Sequence, residues 1–160
     1  MAERIAGAAS VDRDFAYTSG ILHDVGRVAL ATLRPDSYAT LLKNISVGSG
    51  ELLNFERKTF GLDHCEAGSH LAVAWHLPQE VTAVIAHHHD PLTHAQDAPE
   101  LIRLSCRLAH ALGFTTSPHR PSLDANAVLC DFPEAMRARV CLPGDLVREI
   151  EQELKVIEAA

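Results

Sequence analysis

The sequence predicts an all-α fold, a single domain of about eight helices. Three observations lead there. Apolar residues recur at three- and four-residue steps along most of the chain. β-branched residues nowhere alternate with polar ones over a useful length, so strand signals are nearly absent. Pro35, Gly61, Pro78 and Gly113 stand where one periodic segment gives way to the next.

The elements follow in order. Residues 12–33 read as one helix carrying Phe15, Leu22, Val25, Ala29 and Leu33 at those steps, with Asp12 as its N-cap and Pro35 as its stop. Asp36 caps the next, whose apolar face includes Tyr38, Leu41, Leu42 and Ile45. Gly48-Ser49-Gly50 is a break, and a third helix covers roughly 51–60 and closes at Gly61. Asp63 begins a fourth, setting Ala67, Leu71 and Trp75 on one face, with Trp75 as a core anchor at the helix end. Pro78 opens a fifth, followed by Val81, Val84 and Ile85. Residues 90–99 form a polar loop. Leu101, Leu104, Leu108 and Leu112 mark an amphipathic helix closed by Gly113. Residues 115–122 are loop, 124–141 are short helices broken by Pro133, and Pro143 opens a last helix.

Composition narrows the function classes. At 160 residues the chain fits one domain and can bury roughly 70% of its unfolded surface. Apolar residues make up 47% and charged residues 22%, as in soluble globular proteins. The net charge of −7 gives no electrostatic footprint for nucleic acid, so direct nucleic-acid binding is not expected. No apolar run reaches membrane-spanning length and no signal-peptide core stands at the start. Cys65, Cys106, Cys130 and Cys141 lack CxxC spacing and read as buried thiols in a reducing compartment. A cytoplasmic protein without membrane contact is expected.

The chemistry gathers at a few side chains. His23-Asp24 lies within Gly20-Ile21-Leu22-His23-Asp24-Val25-Gly26-Arg27, His64 opens a later helix, and His88 and His89 end another before Asp90-Pro91. Neighbours on a helix diverge by roughly 100°, so His23 and Asp24 share an ion only by flanking it. Gly26 leaves room for a neighbouring backbone or a ligand. Arg27, one turn beyond His23, is placed to face a phosphate. Imidazole with carboxylate suits iron, manganese or zinc better than calcium. Plainer readings stand beside this one. A His-Asp pair also occurs as a surface feature or a core pair, His64 as a capping-region residue, and histidines 87–89 as a solvated helix end complementing the dipole. Cys65 and Cys106 read as small core residues, with Cys106 also able to ligate a metal as thiolate.

Together with Glu56-Arg57-Lys58-Thr59-Phe60-Gly61-Leu62-Asp63-His64-Cys65-Glu66-Ala67-Gly68, Trp75-His76-Leu77-Pro78 and Ile85-Ala86-His87-His88-His89-Asp90-Pro91, the His-Asp segment resembles the HDOD domain, a bacterial signalling branch of the HD superfamily. The resemblance runs over roughly 2–113, leaving 114–160 as C-terminal helices of one domain spanning 1–160. It implies an orthogonal helix bundle. It is similar to the HD-GYP cyclic di-GMP phosphodiesterases, and by that likeness His23, Asp24, His64, His88 and His89 are the metal-binding set. Arg27 stands where catalytic members usually carry lysine. The superfamily's first ligand, a histidine one helix before the pair, has no counterpart here, since residues 2–22 contain no histidine. The last ligand, an aspartate, falls near Cys106. The Gly-Tyr-Pro loop is also absent, and the family's domains are typically longer on the N-terminal side.

The depleted ligand set favours a non-catalytic regulatory module with a vestigial metal or nucleotide pocket. It would act on a protein partner or effector domain, or as a homo-oligomer. The alternative is a metal-dependent phosphohydrolase acting on a nucleotide or cyclic dinucleotide, with Asp24 and Arg27 catalytic. The cofactor would be iron, manganese or zinc, or the site would hold none. A third reading is a structural helical domain whose histidines are incidental.

Overall fold

The computed structural model describes residues 1–7, 9–44, 49–90, 98–114 and 124–138, and in the C-terminal stretch 140, 145, 147–150, 152 and 155. Among these residues the chain is all-α, with ten helices. They are α1 (Ala2–Ala6), α2 (Arg13–Leu22), α3 (Val25–Leu33), α4 (Pro35–Asn44), α5 (Ser49–Phe60), α6 (His64–Ala74), α7 (Gln79–His87), α8 (Ala98–Ala111), α9 (Ala125–Cys130) and α10 (Glu134–Arg137). None is long and apolar enough to cross a membrane.

The largest core joins α1, α2, α7, α8, α9 and α10. Ile5, Val84, Leu101, Leu104, Leu108, Phe132 and Met136 are buried in it. Leu101, Leu104 and Leu108 are the amphipathic stripe read from the sequence, and this stripe fixes α8 against the short helices at both ends of the chain. A second cluster of Ala72, Val81 and Ile85 joins α6 to α7 and takes in Phe15, Leu22 and Val25. Leu30, Tyr38 and Ala67 hold α3, α4 and α6 together.

Several expectations need correction. The helix read as 12–33 is two helices that part at His23-Asp24. Asp24 leaves helical geometry at φ −98° and ψ 12°, and a single departure of that kind does not disturb a three- and four-residue rhythm. Leu33 is 75% exposed and Trp75 54% exposed, so neither anchors the core. On α6 the buried residues are His64, Cys65, Ala67, Gly68 and Ala72. The four-residue step through Leu71 to Trp75 runs along the neighbouring, wetter side. The chain leaves α6 at Trp75, and His76 then adopts a left-handed φ of 57°. Ser49 and Gly50, read as part of a break, begin α5. Of the cysteines, Cys65 is buried, Cys106 half-buried and Cys130 exposed, and none of the three is in a disulfide. The predicted contributions of Ile45, Gly48, loop residues 91–97 and 115–122, Cys141 and Pro143 lie outside the described residues.

Candidate metal centre

Each site residue is set by the end of a helix. The His23 N–H still bonds to the Ser19 carbonyl, and the His23 ring folds back so that Nδ1 donates to the Gly20 carbonyl at 2.8 Å. Asp24 holds the N-cap position of α3, yet its carboxylate caps nothing and turns inward instead. At this junction the two side chains converge, with His23 Nε2 3.6 Å from Asp24 Oδ2.

His64 is the first residue of α6. Asp63 places it through a capping box, accepting from the Glu66 N–H at 2.9 Å while Glu66 accepts from the Asp63 N–H at 2.8 Å. Position 64 therefore does belong to a helix start, and its ring is fully buried. His64 Nδ1 donates to Glu56 Oε2 at 2.6 Å, and its backbone N–H to the same oxygen at 3.0 Å. His88 caps α7 at its C-terminus and donates Nδ1 to the Ile85 carbonyl at 3.0 Å. The His89 ring packs beside both, tilted against His88 at 4.2 Å and edge-on to His64 at 5.0 Å between centroids. His87 points outward and pairs with Asp90 at 2.7 Å.

With their Nδ1 atoms committed, His23, His64 and His88 all present Nε2 toward Asp24. His64 Nε2 is 3.4 Å and His88 Nε2 3.5 Å from Asp24 Oδ1. Both nitrogens are buried and lack a hydrogen-bond partner. A buried polar atom left so is costly, on the order of 1–3 kcal/mol. The spacing suggests what relieves it. Ligand bonds of about 2.0–2.1 Å to a tetrahedral ion put neighbouring ligand atoms about 3.3–3.4 Å apart. The observed separations are long for hydrogen bonds and close to that edge. Two overlapping groups have all their ligand atoms within 4.8 Å of one another: His23, Asp24 and His88, and His64, Cys65, His88 and His89. The residues present thus fit a divalent ion, and the five predicted ligands fall into these two groups, which share His88.

Arg27, expected to face a phosphate, lies against the cluster. Its Nη1 donates to Asp24 Oδ2 at 3.1 Å and its Nε to the Tyr38 hydroxyl at 3.1 Å. Tyr38 in turn donates to Glu56 Oε1 at 3.1 Å. Hydrogen bonds run from Asp24 through Arg27, Tyr38 and Glu56 to His64, and the 3.4 Å approach of His64 Nε2 to Asp24 Oδ1 closes the circuit. Neither Tyr38 nor Glu56 was assigned a role from the sequence. Glu56 did leave a signal, a carboxylate four residues from both Leu52 and Phe60 on the apolar side of α5.

Electrostatics favour neutral rings around an anion. Burial pushes the His23 imidazole down against the pull of Asp24, and His88 and His64 add to the drop. Burial, then His88 and His64, push His89 down to about 2. For Asp24 burial alone acts upward, but His88, His23 and Arg27 outweigh it and hold the carboxyl well below the usual range. Burial raises Tyr38 to about 12 and pushes the Cys65 thiol up, so both stay protonated at neutral pH.

The two lowered histidines predict how the metal-free protein responds to acid. Below pH 6.5 the unfolded chain takes up protons that folded His23 and His89 refuse. Stability is therefore full above about pH 7 and falls toward pH 5, by up to about 2 kcal/mol for His89, with His23 acting in the same direction. Asp24 contributes little to this slope, because its own loss begins only in the ordinary carboxylate range. Urea midpoints measured from pH 7 to pH 5 should fall steadily, and a flat profile would contradict the neutral, buried state of these rings.

The fold and the cluster define a class: a helical domain whose imidazoles and one carboxylate, drawn from helix ends, converge as they do around a divalent ion. The chain belongs to the HDOD domain family, which matches residues 1–91. That stretch spans α1 to α7 and includes His23, Asp24, His64, His88 and His89, whereas Cys106 on α8 lies beyond it. No curated protein and no solved structure matches the chain significantly.

Proposed function

We propose that this chain is a non-catalytic, cytoplasmic signalling module that binds one divalent ion and acts by contact with a protein partner or effector domain. The observation that carries it is the closed circuit around Asp24. Arg27 sits on Asp24 Oδ2, the oxygen that a second ion would need if the carboxylate bridged two. His64 and His88 are 0% and 1% exposed, which leaves little room there for a substrate. His23, Asp24, His64, His88 and His89 hold the ion, and Glu56 and the Gly20 and Ile85 carbonyls orient the rings. A bound ion would supply Lewis acidity and cross-link α3, α6 and α7. Exposed Tyr17, Ile21, Val28 and Leu33 on α2 and α3 give a partner apolar surface to cover.

The test is metal analysis of protein purified without an affinity tag, followed by assays on cyclic di-GMP and a generic phosphodiester after loading with manganese, iron or zinc. The expected result is a retained ion, lost in Asp24→Ala, and no turnover. Turnover abolished by Asp24→Ala would establish the alternative, a metal-dependent phosphohydrolase. Less than about a tenth of an equivalent of metal after loading would remove the ion from the account.

A further inference from the structure

We infer that the cavity between α1, α2 and α8 binds a small neutral aromatic molecule carrying one hydrogen-bond donor, of the size and chemistry of indole. The cavity holds about 270 Å³. Small residues open it, Ala2 on α1, Ala16 and Gly20 on α2 and Ala109 on α8, and Ile102 adds an apolar wall. Tyr17 and Ile21 also line it and are 57% and 61% exposed, which sets them at its mouth. Of the candidate metal ligands only His23 borders it, beside Cys106 at 3.0 Å, so the cavity is separate from the metal centre except at that ring.

The sign of a ligand is Ser105. It lines the cavity, is 5% exposed, and its hydroxyl has no hydrogen-bond partner. Buried hydroxyls are nearly always paired, and one left alone is costly. A donor on the occupant supplies the missing bond. Size narrows the class. A dry apolar cavity of about 150 Å³ holds benzene, so this one takes two fused rings and is too small for a cyclic dinucleotide. Tyr17 offers an aromatic ring for offset or edge-on contact with them. Charge narrows it further. No lysine or arginine lines the cavity, and its one carboxylate, Glu3, is paired with Arg13 at 2.8 Å. A phosphate or carboxylate would therefore enter without a partner.

Titration of the full chain with indole, followed by ligand-observed NMR, tests this. The expected result is a Kd below about 1 mM, with indole-3-acetate at least about tenfold weaker. Ala109→Leu fills the cavity and should abolish binding. Gly20→Ala is the gentler block and keeps the test decisive if Ala109→Leu does not fold. Its Cβ would stand 3.7 Å from the Ala2 Cβ and 3.9 Å from the Ile102 Cδ1, ordinary contacts between the same walls. It should weaken indole at least about threefold in a folded protein. Ser105→Ala should weaken indole about three- to tenfold and leave indene, the same fused rings without an N–H, unchanged. No indole binding by the wild type, binding that survives both blocking variants, or equal binding of indole-3-acetate overturns the inference. A Ser105→Ala variant that leaves indole untouched, or weakens indene as much, overturns the role of the hydroxyl and with it the donor.

Discussion

Replacing Gly26 with alanine is expected to destabilise the protein severely. A Cβ at this position would lie 1.9 Å from the His64 carbonyl oxygen, 2.8 Å from its carbonyl carbon and 2.6 Å from the Gly68 nitrogen. All three are backbone atoms of α6, so relief requires moving a helix rather than a side chain. The glycine is there for the close approach of α3 to α6, the neighbouring backbone that the sequence left room for. Overpacking of this kind costs on the order of 3 kcal/mol or more, a large share of the stability of a domain this size. Gly68→Ala gives a built-in comparison. Its Cβ would meet the Ile85 Cγ2 methyl at 2.7 Å, a side-chain rather than a backbone atom, and the Gly26 nitrogen at 3.2 Å. The expected loss there is about 1–2 kcal/mol. Urea denaturation measures both, and a Gly26→Ala variant within about 1 kcal/mol of wild type would show that the helices do not approach this closely.

Removing the Glu56 carboxylate should disable the centre without touching a metal ligand. Glu56→Ala leaves His64 Nδ1, the His64 backbone N–H and the Tyr38 hydroxyl without their shared acceptor, all in the interior. Breaking one side of such a buried pair costs about 3–5 kcal/mol. The same change frees the His64 ring to rotate or change tautomer, so metal affinity should drop about 10- to 100-fold. Glu56→Gln retains a carbonyl oxygen for His64 and should recover most of both losses. Chelator competition beside urea denaturation separates the two effects. Unaltered metal affinity in a folded Glu56→Ala variant would exclude His64 from the ligand set.

What the sequence conveyed depended on how local each feature is. The helical class and the α8 stripe are legible because periodicity is written residue by residue along Leu101, Leu104 and Leu108. Gly61 and Asp63 mark helix ends by their own chemistry, one with a φ of 83° and the other through a capping box. The parting of α2 from α3 is not legible, because Asp24 changes two dihedral angles and no spacing. The circuit through Arg27, Tyr38 and Glu56 is equally hidden, since its members come from three helices and meet only when these pack. Arg27 pairs with Asp24 three residues back and with Tyr38 eleven residues on, and the second of these partners has no signature in the spacing. Cys106 met His23 across 83 residues, a distance over which spacing rules are silent.

The circuit also bears on inheritance. Arg27, Tyr38 and Glu56 each bond to two others in it, so replacing one of them leaves two neighbours worse off, and a second replacement beside it then costs less than it would alone. Double-mutant cycles among Arg27, Tyr38 and Glu56 should therefore be strongly non-additive. A lineage carrying this ring cannot readily exchange its members one at a time. They persist or disappear as a group, and the ring can outlast the chemistry that first required it.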